Sequence, residues 1–271
     1  MNFHVPRSAV PDLPDPDEAA SATPVEPVVP REAATVMLLR DTPDGIEVFL
    51  QRRVAAMKFA AGMTVFPGGG VDERDADASI AWAGPSAATW AEWFGCDEPL
   101  ARALVCAAVR ETFEESGVLL AGAGPDETVT DTSRYADARA ALVGRQLSLA
   151  AFLAESGLTL RADLLRPWAN WVTPEQESRR YDTRFFVAAL PSGQTADGET
   201  TEASSSGWRR PADAMADGTA GRSMLMPPTW AMLEDLAECA TVADVLATER
   251  TPVPKVMPTL HVDGDTVLVQ L

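Results

Sequence analysis

Histidine is scarce in this chain of 271 residues. The two histidines, His4 and His261, lie near the two chain ends, away from any cluster of acidic residues or glycines. The sequence therefore argues against a Ser-His-Asp triad, a Cys-His pair or a histidine-rich zinc site at the centre of the fold. If the protein is an enzyme, carboxylates and arginines must carry its chemistry.

Cysteine and long apolar runs are also lacking. The three cysteines, Cys96, Cys106 and Cys239, are widely spaced and form no CxxC pattern, which favours a reduced compartment. No stretch approaches the roughly 18 apolar residues of a membrane span, and no apolar signal core follows basic residues near the N-terminus. These absences predict a cytoplasmic protein without a membrane partner.

Positive charge is in short supply as well. The chain has 22 Lys and Arg against 40 Asp and Glu, and its formal net charge is −18. Such a field repels polyanions, so the sequence predicts no nucleic-acid partner. Because 46% of the residues are hydrophobic, the chain can fill the core of one elaborated domain.

Proline punctuates the N-terminal segment. Seven prolines within residues 1–31 prevent a helix or a central strand from propagating. We predict an extended or disordered arm at residues 1–31, with a clasp on a second subunit as the alternative, and a folded domain at residues 32–271.

The domain alternates between strand and helix patterns. Apolar, β-prone runs predict strands at residues 34–39, 46–50, 64–66 and 181–190 and a final hairpin at 259–269. Helical spacing predicts helices at residues 86–94, 97–115, 136–155, 211–216 and 228–246. The glycines of residues 68–70 predict a turn with positive φ, and the polar composition of residues 191–207 predicts an exposed loop.

Three glutamates converge at the end of the helix at 97–115. Glu111 is three and four residues from Glu114 and Glu115, so the three side chains share one patch. Like charges near a helix C-terminus are unfavourable, and something positive should offset them. Mg²⁺ or Mn²⁺ suits carboxylate oxygens; a solvated acidic face is the alternative.

The glycine turn and this helix together resemble the signature of the Nudix hydrolases. That signature is Gly, five residues, Glu, seven residues, then R-E-U-x-E-E-x-G-U, where U is aliphatic. Residues 110–118 match the second half at every fixed position, with Thr112 at an aliphatic one. Five residues separate Gly69 from Asp75, which stands in place of Glu, and 34 residues instead of seven separate Asp75 from Arg110. We interpret the excess as a helical insertion at about residues 76–96.

The resemblance implies a role for each matching residue. Glu114 and Glu115 correspond to the principal metal ligands of the family. Glu111 corresponds to the residue that binds metal or takes the proton from the attacking water. Arg110 corresponds to the arginine that holds the glutamates in place, and the carbonyl of Gly69 to the glycine ligand.

Further similarity points to the coenzyme A diphosphatase branch, which also carries an insertion in this motif. It rests on the Leu-Gln-Arg-Arg run at residues 50–53, on the pattern from residue 58 to residue 69, and on residues 168–174, 180–186 and 227–229. The implied substrate contacts are Arg53, Lys58, Arg52, Phe66 and Arg180. The family often places a carboxylate in such a loop as an extra metal ligand or general base. In the loop at 191–207, Glu202 is chosen for this role, with Glu199 as the alternative.

The implied architecture is an α/β fold, a Nudix α/β/α sandwich with a mixed sheet, a helical insertion and C-terminal additions at residues 208–271. The implied reaction is Mg²⁺-dependent (or Mn²⁺-dependent) hydrolysis of the diphosphate linkage in coenzyme A (CoA) or acyl-CoA. ADP-ribose, NADH or another nucleoside diphosphate derivative is the alternative substrate. A non-catalytic, nucleotide-sensing module is the alternative of a different class. The family also suggests a homodimer.

Overall fold

The computed structural model describes residues 2–7, 10, 27–54, 60–200 and 203–270. The strands in these residues are β1 Asn2–Pro6, β2 Arg31–Thr42, β3 Gly45–Arg53, β4 Thr64–Val65, β5 Gly68–Gly70, β6 Trp82–Ala83, β7 Ala121–Gly122, β8 Thr159–Arg161, β9 Leu165–Val172, β10 Tyr181–Ala189, β11 Ala203–Arg209, β12 Lys255–Val256, β13 Thr259–Asp263 and β14 Thr266–Gln270. The α-helices are α1 Ala87–Phe94, α2 Glu98–Ser116, α3 Ala136–Val143, α4 Leu149–Ser156, α5 Pro211–Thr219, α6 Pro227–Ala237 and α7 Val242–Ala247.

A mixed sheet organises the molecule. Its strand order is β11-β3-β2-β10-β9-β12, with β4 paired to β3 and β5 paired to β2. Strands β2 and β10 run parallel, whereas β2 and β3 form the predicted antiparallel hairpin. Two small sheets accompany it, one from β6, β8 and β7 and one from β1, β14 and β13.

The mixed sheet is covered on both faces. Along β2, Val36 packs in the same cluster as Leu104 of α2, whereas Met37 packs on the opposite side with Leu233 of α6 and Val267 of β14. Successive strand residues point to opposite faces, so this apolar run fills two cores. The result is a three-layer α/β arrangement with a mixed sheet in the middle.

Helix α2 confirms the predicted helix at 97–115. The Asp97 side chain accepts a hydrogen bond from the Leu100 N–H at 2.8 Å, and Gly117 ends the helix with φ +73°. Thr112, the departure at an aliphatic motif position, is fully buried and donates its hydroxyl to the Ala108 carbonyl at 2.7 Å. That bond satisfies the polar atom, so threonine is tolerated in the core.

The helix predicted at 136–155 is wrong in its length. The structure breaks it into α3 and α4, because Gly144 ends α3 and Arg145 adopts φ +58°. The side chain of Ser148 then caps α4 by accepting from the Ala151 N–H at 3.1 Å. A glycine followed four residues later by a capping serine indicates a break between two helices, which the apolar spacing alone does not show.

The helix predicted at 228–246 is interrupted in the same way. Thr241 and Asp244 form a capping box that starts α7 after α6 has ended at Ala237. The polar loop predicted at 191–207 is wrong at its end, where β11 pairs with β3 along the edge of the mixed sheet. Trp208 anchors this polar strand by packing edge-on against Phe49, with ring centroids 5.5 Å apart.

The insertion packs as a structural element. Helix α1 spans Ala87–Phe94, as the apolar spacing predicted, and Trp90 is fully buried. The Trp90 ring lies 5.5 Å from the ring of Phe186 on β10. This tryptophan helix therefore covers the mixed sheet.

The predicted N-terminal arm contributes a strand within the part that the structure describes. Strand β1 pairs antiparallel with β14, and Val10 is buried. Most of the proline-rich stretch, residues 11–26, lies outside the described residues. Among the described helices, none has the length and apolar character to cross a membrane.

The three glycines at 68–70 form strand β5 and do not form the turn with positive φ that the sequence predicted. Gly68, Gly69 and Gly70 pair antiparallel with β2, and none of the three has a positive φ. The requirement for glycine is one of space. A Cβ on Gly68 would lie 2.5 Å from the Ala34 carbonyl oxygen, and a Cβ on Gly69 would lie 2.5 Å from Oε1 of Glu111.

Gly68→Ala is expected to lower the free energy of unfolding by about 1–3 kcal/mol, because its methyl group collides with backbone atoms that cannot rotate away. Urea unfolding measures this change. Gly124→Ala is the matched control, since a Cβ there meets no atom within 4 Å, and it should shift stability by less than about 0.5 kcal/mol. Equal losses in the two variants would contradict the close-approach explanation.

Candidate functional site

Arg110 lies at the centre of the site. Its Nε and Nη2 donate to the two carboxylate oxygens of Asp75, each at 2.9 Å. Its Nη1 donates to Glu111 at 2.7 Å and to Glu114 at 3.3 Å, and Nη2 also donates to the Gly70 carbonyl at 3.0 Å. One guanidinium thus connects the turn at Asp75, helix α2 and strand β5, despite the long insertion between Asp75 and Arg110.

Asp75 is held rigidly on the other side of this pair. It is only 1% exposed, and its side chain accepts from the Asp72 N–H at 2.8 Å in a capping box. A buried carboxylate needs such partners, because desolvating an unpaired charge is expensive. The shorter aspartate therefore binds Arg110 bidentately where the family motif has glutamate.

The Glu111 carboxylate lies directly against Gly69 of β5, where no side chain intervenes. Its burial raises the pKa of the carboxyl group to about 7, and the Arg110 guanidinium counteracts this rise. Desolvation disfavours the ionised form, so a cation beside Glu111 would favour ionisation. Only glycine leaves room for the Glu111 carboxylate at this point of the strand.

Glu115 turns toward strands β3 and β5. Its Oε2 accepts from the side-chain amide of Gln51 and from the Gly68 N–H, the latter at 2.8 Å. Gln51 is 1% exposed and Glu115 is 4% exposed. Both residues are therefore fixed in the core beside the carboxylates that Arg110 holds.

The donor set fits a hard divalent cation. The oxygens are carboxylates of α2 and the backbone of β5, which are ligands that Mg²⁺ and Mn²⁺ accept. Within the described residues, no three or more His, Cys, Asp or Glu side chains are already arranged around one point as metal ligands. Arg110 donates to one oxygen of Glu111 and to one oxygen of Glu114, so a single guanidinium holds both carboxylates.

A cavity of about 650 Å³ adjoins these groups. Glu111 and the three glycines of β5 line it together with Arg53, Phe66, Trp171 and Arg179. Its volume lies within the roughly 300–1,000 Å³ range of small-molecule sites. Apolar walls, two arginines and an acidic end give it the composition of a binding site for an elongated anionic molecule.

The predicted substrate contacts separate into two groups. Arg53 and Phe66 line the cavity. Arg52 points away from it, into a separate groove of about 210 Å³, and donates to the Gly62 carbonyl at 3.2 Å. Neighbouring residues of one strand face opposite sides, so Arg52 and Arg53 do not serve the same site.

The predicted contact at Arg180 has another use in the structure. Its side chain is buried and donates to the backbone carbonyls of Thr173 and Val28, both at 2.9 Å. These bonds tie β10 to the preceding loop and to the segment before β2. The adjacent Arg179 lines the cavity instead.

Two predicted residues lie outside the described part of the chain, Lys58 and Glu202. Their roles remain predictions. The alternative loop acid, Glu199, is exposed, and its N–H donates to the Asp197 side chain at 3.0 Å.

A comparison with protein-family models matches residues 91–236 to the NUDT19 Nudix domain. The match covers more than half of the chain and includes the whole of α2. The chain belongs to the Nudix hydrolase family. Its predicted Nudix fold is confirmed by the crystal structure of a NUDIX hydrolase from Alicyclobacillus acidocaldarius, which is 29% identical, covers 84% of this chain and 99% of that one, and superposes with a TM-score of 0.72.

Two curated relatives of this Nudix chain are informative. Putative nudix hydrolase 7 of Caenorhabditis elegans is 30% identical over 211 residues, which cover 73% of this chain and 57% of that protein. Acyl-coenzyme A diphosphatase NUDT19 of Xenopus laevis is 25% identical over 238 residues, which cover 73% and 62%. The chain therefore spans about three fifths of the length of these two relatives.

Sequence reasoning assigned no role to Gln51 or Trp171 of this Nudix site, and of the neighbouring arginines Arg179 and Arg180 it chose Arg180 as the substrate contact. Gln51 belongs to the Leu-Gln-Arg-Arg run, in which the arginines attracted attention as charges. The available signal was the alternation of side chains along β3, which places Gln51 on the same face as Phe49 and Arg53 and on the opposite face from Arg52. Trp171 and Arg179 enter the cavity only through the pairing of β9 with β10.

Proposed function

We propose that this Nudix protein hydrolyses the diphosphate linkage of CoA or acyl-CoA in a reaction that depends on Mg²⁺ or Mn²⁺. The observation that carries the proposal is the arrangement of Arg110, Glu111 and Glu114 against the glycine strand at the end of the cavity. Carboxylates next to a bare backbone suit a divalent cation, and a cation there would attract the diphosphate of an anionic substrate.

The carboxylates of Glu111, Glu114 and Glu115 and the backbone carbonyl of Gly69 would hold the metal ion. When bound, a divalent cation neutralises diphosphate oxygens and lowers the pKa of a coordinated water. Arg110 keeps two of these carboxylates in place from the opposite side.

The chain's own groups then account for proton transfer and orientation. Glu111 lies at the cavity wall and takes the proton of the attacking water, whereas Glu202 remains the alternative acceptor from the sequence. Arg53 and Arg179 supply positive charge along the cavity for phosphate groups of the substrate. The Glu111 side chain is only 14% exposed, and a lower local dielectric strengthens these interactions.

The shape of the cavity supports an elongated substrate. Its lining crosses four adjacent strands, from Arg53 on β3 through Thr35 on β2 and Thr183 on β10 to Trp171 on β9. Neighbouring strands lie about 4.8 Å apart, so this span is roughly 14 Å. The acidic and glycine-rich part of the cavity meets β2 and β3, and we propose that the reacting diphosphate binds there.

Part of the cavity wall suits the pantetheine or acyl arm of CoA. Trp171, Phe185, Pro258 and Leu260 line the cavity with apolar surface. Such a wall can bury the apolar atoms of the arm. The name of the Xenopus laevis relative agrees with this substrate class.

A substrate comparison tests the proposal. The protein is incubated with Mg²⁺ and, separately, CoA, an acyl-CoA, ADP-ribose and NADH, and phosphate-ester products are quantified. We expect the highest kcat/KM for CoA or acyl-CoA and no turnover after chelation of the metal. Faster turnover of ADP-ribose or NADH would overturn the substrate assignment, and the absence of hydrolysis with all four would favour a nucleotide-sensing role.

A further inference from the structure

The carboxyl end of α2 receives hydrogen bonds from two distant parts of the chain. The Nε of Arg139, on α3, donates to the backbone carbonyl of Glu114 at 3.0 Å. The N–H of Asp197, in the loop before β11, donates to the carbonyl of Ser116 at 2.9 Å. The last carbonyls of a helix have no partner within the helix, so α3 and the loop complete this helix end.

Arg139 and Asp197 also bind each other. The Nη1 of Arg139 donates to Oδ2 of Asp197 at 2.8 Å, and the Arg139 side chain is only 12% exposed. The other carboxylate oxygen of Asp197 accepts from the Glu199 N–H at 3.0 Å. The ion pair therefore fixes Asp197 to Glu199 of this loop, which include one of the two predicted loop acids.

Gly117 makes this contact feasible. Its φ is +73°, and a Cβ there would lie 2.7 Å from Oδ2 of Asp197 and 2.9 Å from Nη1 of Arg139. The glycine that ends the helix thus has a second role, because any side chain at this position would occupy the space of the Arg139–Asp197 pair.

The charge of Arg139 suits its position. Three glutamates and the negative end of the helix dipole concentrate negative charge at this end of α2. Arg110 offsets that charge on the cavity side, and Arg139 offsets it at the helix end. The Nη2 of Arg139 is buried and has no hydrogen-bond partner among the described residues, so the guanidinium keeps one donor for a water molecule or a bound group.

We propose that Arg139 is a positioning residue, which fixes residues 197–199 against the end of α2 and so holds Glu114 and the loop in the geometry that metal binding requires. This inference rests on the proposed function, because it assigns the metal to the α2 carboxylates. Arg139 acts through the Glu114 backbone and Asp197 and does not touch the substrate.

The test compares Arg139→Gln, Arg139→Lys and Asp197→Asn with Arg134→Gln, an exposed arginine on the same segment that serves as the control. Loss of a group that orients metal ligands typically lowers metal affinity or activity by about 10–100-fold. We expect Arg139→Gln to raise the Kd for Mn²⁺, measured by calorimetry without substrate, by about 10-fold, and to lower kcat by about 10–100-fold with KM changed less than about threefold. Arg139→Lys should recover part of both losses.

The pair also predicts non-additivity. The double variant Arg139→Gln with Asp197→Asn should be no worse than the more severe single variant, because each removes the same contact. Additive losses, or a lowered Tm with unchanged Mn²⁺ affinity and kcat, would overturn the positioning role.

Amide hydrogen exchange separates this inference from the proposed function. The Asp197 amide in the metal-free protein should exchange faster in Arg139→Gln than in the parent and in Arg134→Gln. This comparison stands even if the protein hydrolyses none of the substrates. Unchanged exchange at Asp197 would contradict the inference that the Arg139–Asp197 ion pair holds this loop against α2.

Discussion

Glu114→Gln is expected to lower Mg²⁺-dependent turnover by about 1000-fold or more while the fold remains intact. The amide keeps the size of the carboxylate but removes the negative charge that a divalent cation needs. Glu114 accepts a long hydrogen bond from Arg110, at 3.3 Å, and the glutamine side chain has the same size, so the folded state should lose little. Steady-state kinetics and Mn²⁺ titration of the purified variant measure the effect.

Glu115→Gln should inactivate the protein in the same way but with an added loss of stability. Glu115 accepts from the Gln51 amide and from the Gly68 N–H, and an amide that presents its donor there leaves buried groups unpaired. That penalty is about 1–3 kcal/mol.

Glu98→Gln provides the control for both variants, because Glu98 is an exposed acid in the first turn of the same helix. It should retain full turnover and Mn²⁺ affinity. Unaltered hydrolysis in Glu114→Gln would refute the metal assignment.

Arg110→Ala is expected to lower the free energy of unfolding by about 3–5 kcal/mol and to abolish activity. Asp75 is 1% exposed and binds this guanidinium through both oxygens. Removing Arg110 leaves a buried carboxylate without its counter-charge, and it also releases Glu111 and Glu114. Urea unfolding gives the stability change, and circular dichroism confirms that the remaining protein is folded.

Arg74→Ala is the matched control for the stability effect. Arg74 neighbours Asp75 in sequence, but its side chain is 40% exposed, and its partner Asp72 also pairs with Arg145 and so keeps a counter-charge when Arg74 is removed. Exposed pairs contribute about 0–1 kcal/mol. A loss in Arg74→Ala as large as that in Arg110→Ala would show that burial of the Asp75 pair is not the cause.

The sequence predicted those parts of the site that one element carries. Arg110, Glu111 and Glu114 lie at fixed offsets on α2, so helical spacing alone places them together. Asp97 and Gly117 mark the ends of that helix by their capping chemistry, which is local as well. The hairpin of β2 and β3 followed from a turn signal between two apolar runs.

The remaining features depend on distant pairings, which no local pattern contains. Gly68 and Gly69 read as a turn because glycine permits positive φ, but the structure uses them for close approach to β2 and Glu111. The contact between Asp75 and Arg110 spans a long insertion, and the sequence does not show how that insertion folds. Arg180 looked like a substrate contact, and only the segment beside it shows that its bonds go to backbone carbonyls.

The most direct test of the central claim is a crystal structure with Mg²⁺ and a CoA analogue in which a methylene group replaces the bridging diphosphate oxygen. We expect metal bound by carboxylate oxygens of α2 at about 2.0–2.1 Å, with the diphosphate over Gly69 and the pantetheine arm directed toward Trp171. A metal ion bound away from Glu111, Glu114 and Glu115, or a diphosphate outside the cavity, would contradict it.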